Sequence, residues 1–138
     1  MNRTLITLAI ASCMGFAGAA GAMTKDEYKA QKDKISADYK AAKERCDPLK
    51  DNAKDICTVE AKGNEKVAKA ELEAQYKPTP KHDEKAKIAK ADAAYELAKE
   101  KCDDQSGNAK DVCKKDAKAA YTSAKADAKA TKAAATKS

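Results

Sequence analysis

The chain repeats itself. Displacing the sequence by 56 residues lays Tyr39-Lys-Ala-Ala-Lys-Glu-Arg-Cys46-Asp47 on Tyr95-Glu-Leu-Ala-Lys-Glu-Lys-Cys102-Asp103. The same shift lays Asn52-Ala-Lys-Asp-Ile-Cys57 on Asn108-Ala-Lys-Asp-Val-Cys113. Over residues 39–62 against 95–118, 13 of 24 positions are identical, and Arg45/Lys101, Ile56/Val112 and Glu60/Asp116 are conservative exchanges. A match this dense at one fixed period is an internal duplication rather than shared composition. Whatever unit one copy forms, the other must form as well, and each unit carries two cysteines with ten residues between them.

Within each copy the pattern reads helix, short turn, helix. Thr24-Lys-Asp-Glu27 has the form of a capping box. The positions Tyr28, Ile35, Tyr39, Ala42 and Cys46 then follow on one helical stripe, and Ile88, Ala91, Tyr95, Ala98 and Cys102 make the equivalent stripe in the second copy. Asp47-Pro48 and Ser106-Gly107 break the periodicity, and Asn52 and Asn108 are expected as N-caps of the next helices. Those helices carry Cys57, Ala61, Ala68 and Leu72 inward, or Cys113, Ala117, Ala124 and Ala128, and such small residues let two helices approach closely. The fold class expected is therefore all-α: two tandem helical hairpins, residues 23–77 and 82–122, each stapled by a disulfide. A Pro-marked linker at 78–81, read as extended, separates them, and an Ala/Lys-rich tail at 123–138 is expected to fray.

The staple follows from the hairpin geometry. An αα-hairpin sets the end of one helix beside the start of the next, so Cys46 pairs with Cys57 and Cys102 with Cys113. The competing arrangement is one continuous helix per copy. It would hold the two sulfurs on one face about 16 Å apart and direct them to interchain bonds. Pro48 and Gly107 speak for the hairpin.

Residues 1–22 read as a secretory signal peptide: a charged start at Arg3, an apolar run from Leu5 to Phe16, and the small-residue end Ala20-Gly21-Ala22. The expected location is periplasmic or secreted, with cleavage after Ala22. A retained spanning helix and a lipidated Cys13, in the lipobox-like Ile10-Ala11-Ser12-Cys13, are the alternatives. Removing the segment takes Cys13 with it and leaves an even four cysteines, which suits an oxidising destination. The remaining chain has nine Leu, Ile, Val and Phe residues. So few large apolar side chains predict little globular core. Lysines and carboxylates alternate along it, which points to solvated faces and modest i,i+4 support at Glu65–Lys69, Glu73–Lys77, Asp83–Lys87 and Asp111–Lys115.

Other chemistries fit the residues less well. Cysteines spaced by ten residues without histidine do not resemble a zinc site, whose ligands pair two to four residues apart. A nucleophilic cysteine needs a base at hand, and the one histidine, His82, is expected to face solvent near a helix start. The five tyrosines suggest a stacking surface for nucleic acid or glycan only until Tyr39 and Tyr95 are placed on the core stripe. No catalytic residue, cofactor or metal site is expected. The functional expectation is a non-enzymatic helical protein with a structural, stress-related or interaction role in the cell envelope, its partner an unknown envelope component. Metal binding by reduced cysteines and cationic binding to envelope polyanions are the alternatives.

The repeated Cys-Asp-x4-Asn-Ala-Lys-Asp-[Ile/Val]-Cys, followed by Glu60-Ala-Lys62 or Asp116-Ala-Lys118, resembles uncharacterised exported proteins of proteobacteria. These Ala/Lys-rich proteins are often labelled TolA-like or cell-envelope biogenesis proteins. The resemblance spans nearly all of the chain after residue 22 and implies a periplasmic location. It implies no functional residue.

Overall fold

The computed structural model describes residues 22–137; the signal-peptide reading of residues 1–22 and Cys13 therefore lie almost wholly outside the described residues. Among the described residues four α-helices follow one another: α1 (Lys25–Cys46), α2 (Asp51–Tyr76), α3 (Pro80–Asp103) and α4 (Gly107–Ala135). The fold is all-α, and helices α1–α2 and α3–α4 are the two hairpins of the duplication.

Local chemistry sets the helix starts. At α1 the Thr24 backbone N–H donates to Glu27 Oε2 at 2.8 Å and the Glu27 N–H donates to Thr24 Oγ1 at 3.2 Å, a complete capping box. At α3 Thr79 is the N-cap and Pro80 occupies the first turn, where its missing N–H has no helical partner to lose. The starts of α2 and α4 differ from expectation. Both begin two residues earlier, at Asp51 and Gly107 with Lys50 and Ser106 in the cap positions, and neither cap makes a side-chain hydrogen bond. These two residues are equivalent by the repeat, and both sit in the left-handed region, with φ 50° and 56°. The duplicated turn thus keeps one backbone conformation, with glycine in one copy and aspartate in the other.

Packing is strictly serial. Among the described residues α1 packs on α2, α2 on α3 and α3 on α4, and no pair of non-consecutive helices is in contact. The short turns make neighbours antiparallel. Both disulfides therefore lie at one end of a single-layer array, and the α2–α3 turn lies at the other. Such a layer requires each inner helix to bury two faces. On α2, Ala61 lies toward α1, whereas Gly63, about 200° further round at 100° per residue, lies against α3. On α3, Ala91 lies toward α4 and Ala93 toward α2.

The core is made of small side chains. Cys46, Ala61, Leu72, Ala86, Ala91, Cys102 and Ala128 are buried, and only Leu72 among them is larger than cysteine. The hydrophobic term that normally dominates folding is correspondingly thin. Covalent closure and helix-helix polar contacts carry a larger share.

Two expectations about the chain's joints are corrected. The Pro-marked segment is not an extended linker: Lys77 to Thr79 form a three-residue turn, and α2 and α3 pack directly along their lengths. Pro78 and Pro80 stiffen a turn whose ends are both capped, with the Lys77 N–H donating to Glu73 O at 2.9 Å. The tail is not frayed either. Residues 123–135 continue α4 along α3, where Ala128 is buried and Lys132 pairs with Glu84 at 2.7 Å.

Candidate functional site

Each cysteine pair closes its own hairpin. Cys46 bonds Cys57 and Cys102 bonds Cys113, with Cα–Cα distances of 5.6 and 5.7 Å and a sequence separation of 11 in both. Cys46 and Cys102 end the inward stripes of α1 and α3 and are buried, whereas Cys57 and Cys113 are half-buried. A disulfide sulfur carries no thiolate charge and does not serve as a zinc or copper ligand in the manner of Cys S⁻. Among the described residues no three His, Cys, Asp or Glu side chains gather as a metal-holding group. None of the described helices is long and apolar enough to cross a membrane.

The remaining polar groups converge on the helix junctions. At the disulfide end Asn52 is not a cap of its own helix. Its Nδ2 donates to Glu100 O at 2.9 Å and to Asp104 Oδ1 at 2.6 Å, so it satisfies a carbonyl at the C-terminal end of α3 across the hairpin boundary. Asn108, its equivalent on α4, faces no further helix among the described residues and is exposed. Nearby, Lys110 and Lys114 reach back from α4 to Asp103 at 2.8 and 2.7 Å. Their hydrogen bonds, Lys110 first, hold the Asp103 carboxyl down at about 2.

Four of the five tyrosines stack in pairs within the hairpins. Tyr28 stacks on Tyr76 with ring centroids 4.4 Å apart, and Tyr95 stacks on Tyr121 at 4.7 Å. Each pair has one phenol bound to a carboxylate: Tyr28 Oη donates to Glu73 Oε2 and Tyr121 Oη donates to Asp92 Oδ1, both at 2.6 Å. The Tyr28 hydrogen bond lowers the Glu73 carboxyl below its usual range and raises the Tyr28 phenol above its own. Lys99 and Lys125 lie over the rings of Tyr95 and Tyr121 at 5.3 and 4.9 Å from the centroids. The rings thus spend their faces on each other and on lysines of the same chain, in keeping with packing rather than a free stacking platform.

The two stacks are not repeat equivalents, and the exchange is informative. Shifting Tyr28 and Tyr76 by 56 gives Glu84 and Lys132, which form an ion pair. Shifting Tyr95 and Tyr121 back gives Tyr39 and Glu65. Each hairpin keeps one aromatic clamp, placed far from the disulfide in the first and nearer to it in the second. The other position is polar.

Three shallow recesses follow. One within α1–α2, about 280 Å³, is bordered by Tyr39, Ala42 and Ala61 but also by Asp38, Arg45 and Glu65. Its repeat equivalent within α3–α4, about 330 Å³, is bordered by Ala91, Ala98 and Ala117 with the Tyr95–Tyr121 clamp. A third of about 380 Å³ crosses from α2 to α4 over α3, with Lys62 and Lys66 on one wall, Asp92 and Glu96 on the other, and Tyr121 at its end. This last groove is a polar surface feature that all three helices build together.

Sequence reasoning placed Cys46, Cys57, Cys102 and Cys113 in their pairs, along with the Glu65–Lys69 pair. It expected Glu73 to serve Lys77, whereas Tyr28 takes it. It expected His82 to face solvent. His82 is partly exposed near the start of α3, and its Nδ1 also lies 2.7 Å from Lys77 O and 3.1 Å from Thr79 Oγ1, tying the α2–α3 turn. The close approach at Gly63 was missed, although a glycine inside a helical pattern is the signal that finds such a contact. No protein family, curated protein or solved structure matches this chain.

Proposed function

We propose that the chain is exported through its N-terminal segment and serves in the periplasm as a non-enzymatic, disulfide-stapled helical module with an interaction role in the cell envelope. The observation that carries the reading is the pair of repeat-equivalent disulfides, each closing a hairpin whose core is too thin to depend on apolar burial alone. Disulfides of this kind persist in oxidising compartments. The fold they hold is a single layer of long helices in serial contact, with a large exposed surface, which suits contact with a partner better than enclosure of a small substrate. The resemblance of the duplicated cysteine motif to exported proteobacterial proteins supports the same compartment.

The test is made in intact cells. Osmotic-shock fractionation should release the protein with a mass corresponding to a start at Met23 and no alkylatable thiol. A photo-crosslinker at Lys66, on the groove over α3, should capture one reproducible envelope component. The full-length chain retained in the cytoplasm with free thiols would end the proposal for compartment, and crosslinking indistinguishable from that of an unrelated periplasmic protein would end it for the interaction role.

A further inference from the structure

We propose that the outer faces of α1 and α4 are closed ends of the array. They are the repeat equivalents of the two sides of the α2–α3 junction, altered at the positions that let that junction pack, so that copies of this chain do not add head to tail. The inference is independent of the compartment proposed above.

When helices touch only their neighbours and the hairpin is duplicated, the surface that joins hairpin 1 to hairpin 2 recurs at both ends of the chain. The α2 side recurs on α4 and the α3 side on α1, each displaced by 56 residues. Two complementary end faces on one chain form a head-to-tail contact, and such contacts propagate into open filaments unless something stops them.

At the inner junction the stop is absent. Gly63 is buried, and a Cβ placed on it would lie 3.0 Å from Ala93 Cβ, closer than two methyl carbons sit in ordinary contact. Val67 and Leu97 border one side of this approach and Val59 the other. At the ends all of these residues but Ala93 change. Gly63 becomes Ala119 and Ala93 remains alanine as Ala37, so two methyl groups would meet where the inner junction has room for one. Val59 becomes Lys115, Val67 becomes Ser123 and Leu97 becomes Ala41, all exposed. The apolar area that drives association and the notch that allows close approach are thus removed together.

The polar framework of the junction survives at the ends. The Glu71–Lys90 ion pair maps onto Asp127 and Lys34, and Asn52 with Glu100 maps onto Asn108 with Glu44. Exposed polar pairs contribute little to affinity, so their survival marks the duplicated origin of the faces without restoring the contact. Terminal repeats of serial arrays need polar outer faces for the same reason.

Sedimentation velocity of the purified, oxidised protein over a hundredfold range of concentration tests the proposal. The native sequence should sediment as one monomeric species throughout. The variant Ala41→Leu/Lys115→Val/Ala119→Gly/Ser123→Val should form a concentration-dependent ladder beyond the dimer, and adding Asp127→Lys, which opposes Lys34, should shrink that ladder. A version keeping Ala119 guards against helix loss from the added glycine. In the reverse experiment, Val59→Lys/Val67→Ser should part the two hairpins, read as a larger radius of gyration at unchanged disulfide content. Native protein that itself assembles and is dispersed by Asp127→Lys would overturn the proposal. So would restored end faces that leave the protein monomeric and helical, or an unchanged radius of gyration in the reverse variant.

Discussion

At the scale of single residues the duplication supplies its own controls, because the same backbone position is occupied by different side chains. Asp51 and Gly107 share a left-handed φ. An L-residue there carries a cost of about 1–2 kcal/mol that glycine avoids, offset in part by glycine's freedom in the unfolded chain. Asp51→Gly should therefore leave stability unchanged or raise it by up to about 1 kcal/mol, while Gly107→Ala should lower it by about 1 kcal/mol, both read by thermal denaturation. Asp103 makes a second residue-scale prediction. Its carboxyl sits at about 2 in the folded chain against an ordinary value of 3.8, because Lys110 and Lys114 donate to it. A depressed folded value means that its contribution to stability is present above about 4 and is lost as pH falls toward 2. Carboxyl NMR titration should show the low midpoint, and Lys110→Ala/Lys114→Ala should return it to the usual range.

At the scale of elements, two joints hold the four helices. Each disulfide closes a loop of eleven residues' separation, which by chain entropy stabilises the folded state by about 3 kcal/mol. Cys46→Ala/Cys57→Ala should therefore lower the Tm, read by circular dichroism, by on the order of 10 °C. The α2–α3 junction depends on the notch at Gly63. Gly63→Leu should destabilise by about 2–3 kcal/mol through overpacking against Ala93. Gly63→Ala should change stability by less than about 1 kcal/mol, since better helix propensity offsets the tight contact. What the sequence made legible divides along the same lines. The periodic stripes ending in Cys46 and Cys102, the capping box at Thr24 and the disulfide pairs rest on local spacing, which a sequence displays directly. The packing of one hairpin on the other, the use of Asn52 on Glu100 O, and the helical course of residues 123–135 all depend on which helix lies alongside. A cap-forming asparagine and an Ala/Lys run carry no record of that neighbour. Pro78 and Pro80 misled for a related reason: proline marks a break in helix but not whether the chain then extends or turns back.

At the scale of the whole molecule, the array trades a deep core for serial contacts between long helices, each joint closed by a few specific groups. Its candidate surface, the groove bounded by Lys62, Lys66, Asp92 and Glu96, exists because α2, α3 and α4 lie side by side. It therefore depends on both the α2–α3 and α3–α4 joints being intact. The central claim is that two identical staples close two tandem hairpins within one chain. Peptide mapping under non-reducing conditions, on protein taken from cells with thiols blocked at lysis, tests it most directly. The account predicts peptides joining Cys46 to Cys57 and Cys102 to Cys113, with no crossed or interchain species. Linkage between the two hairpins, between chains, or a substantial population of free thiols would contradict it.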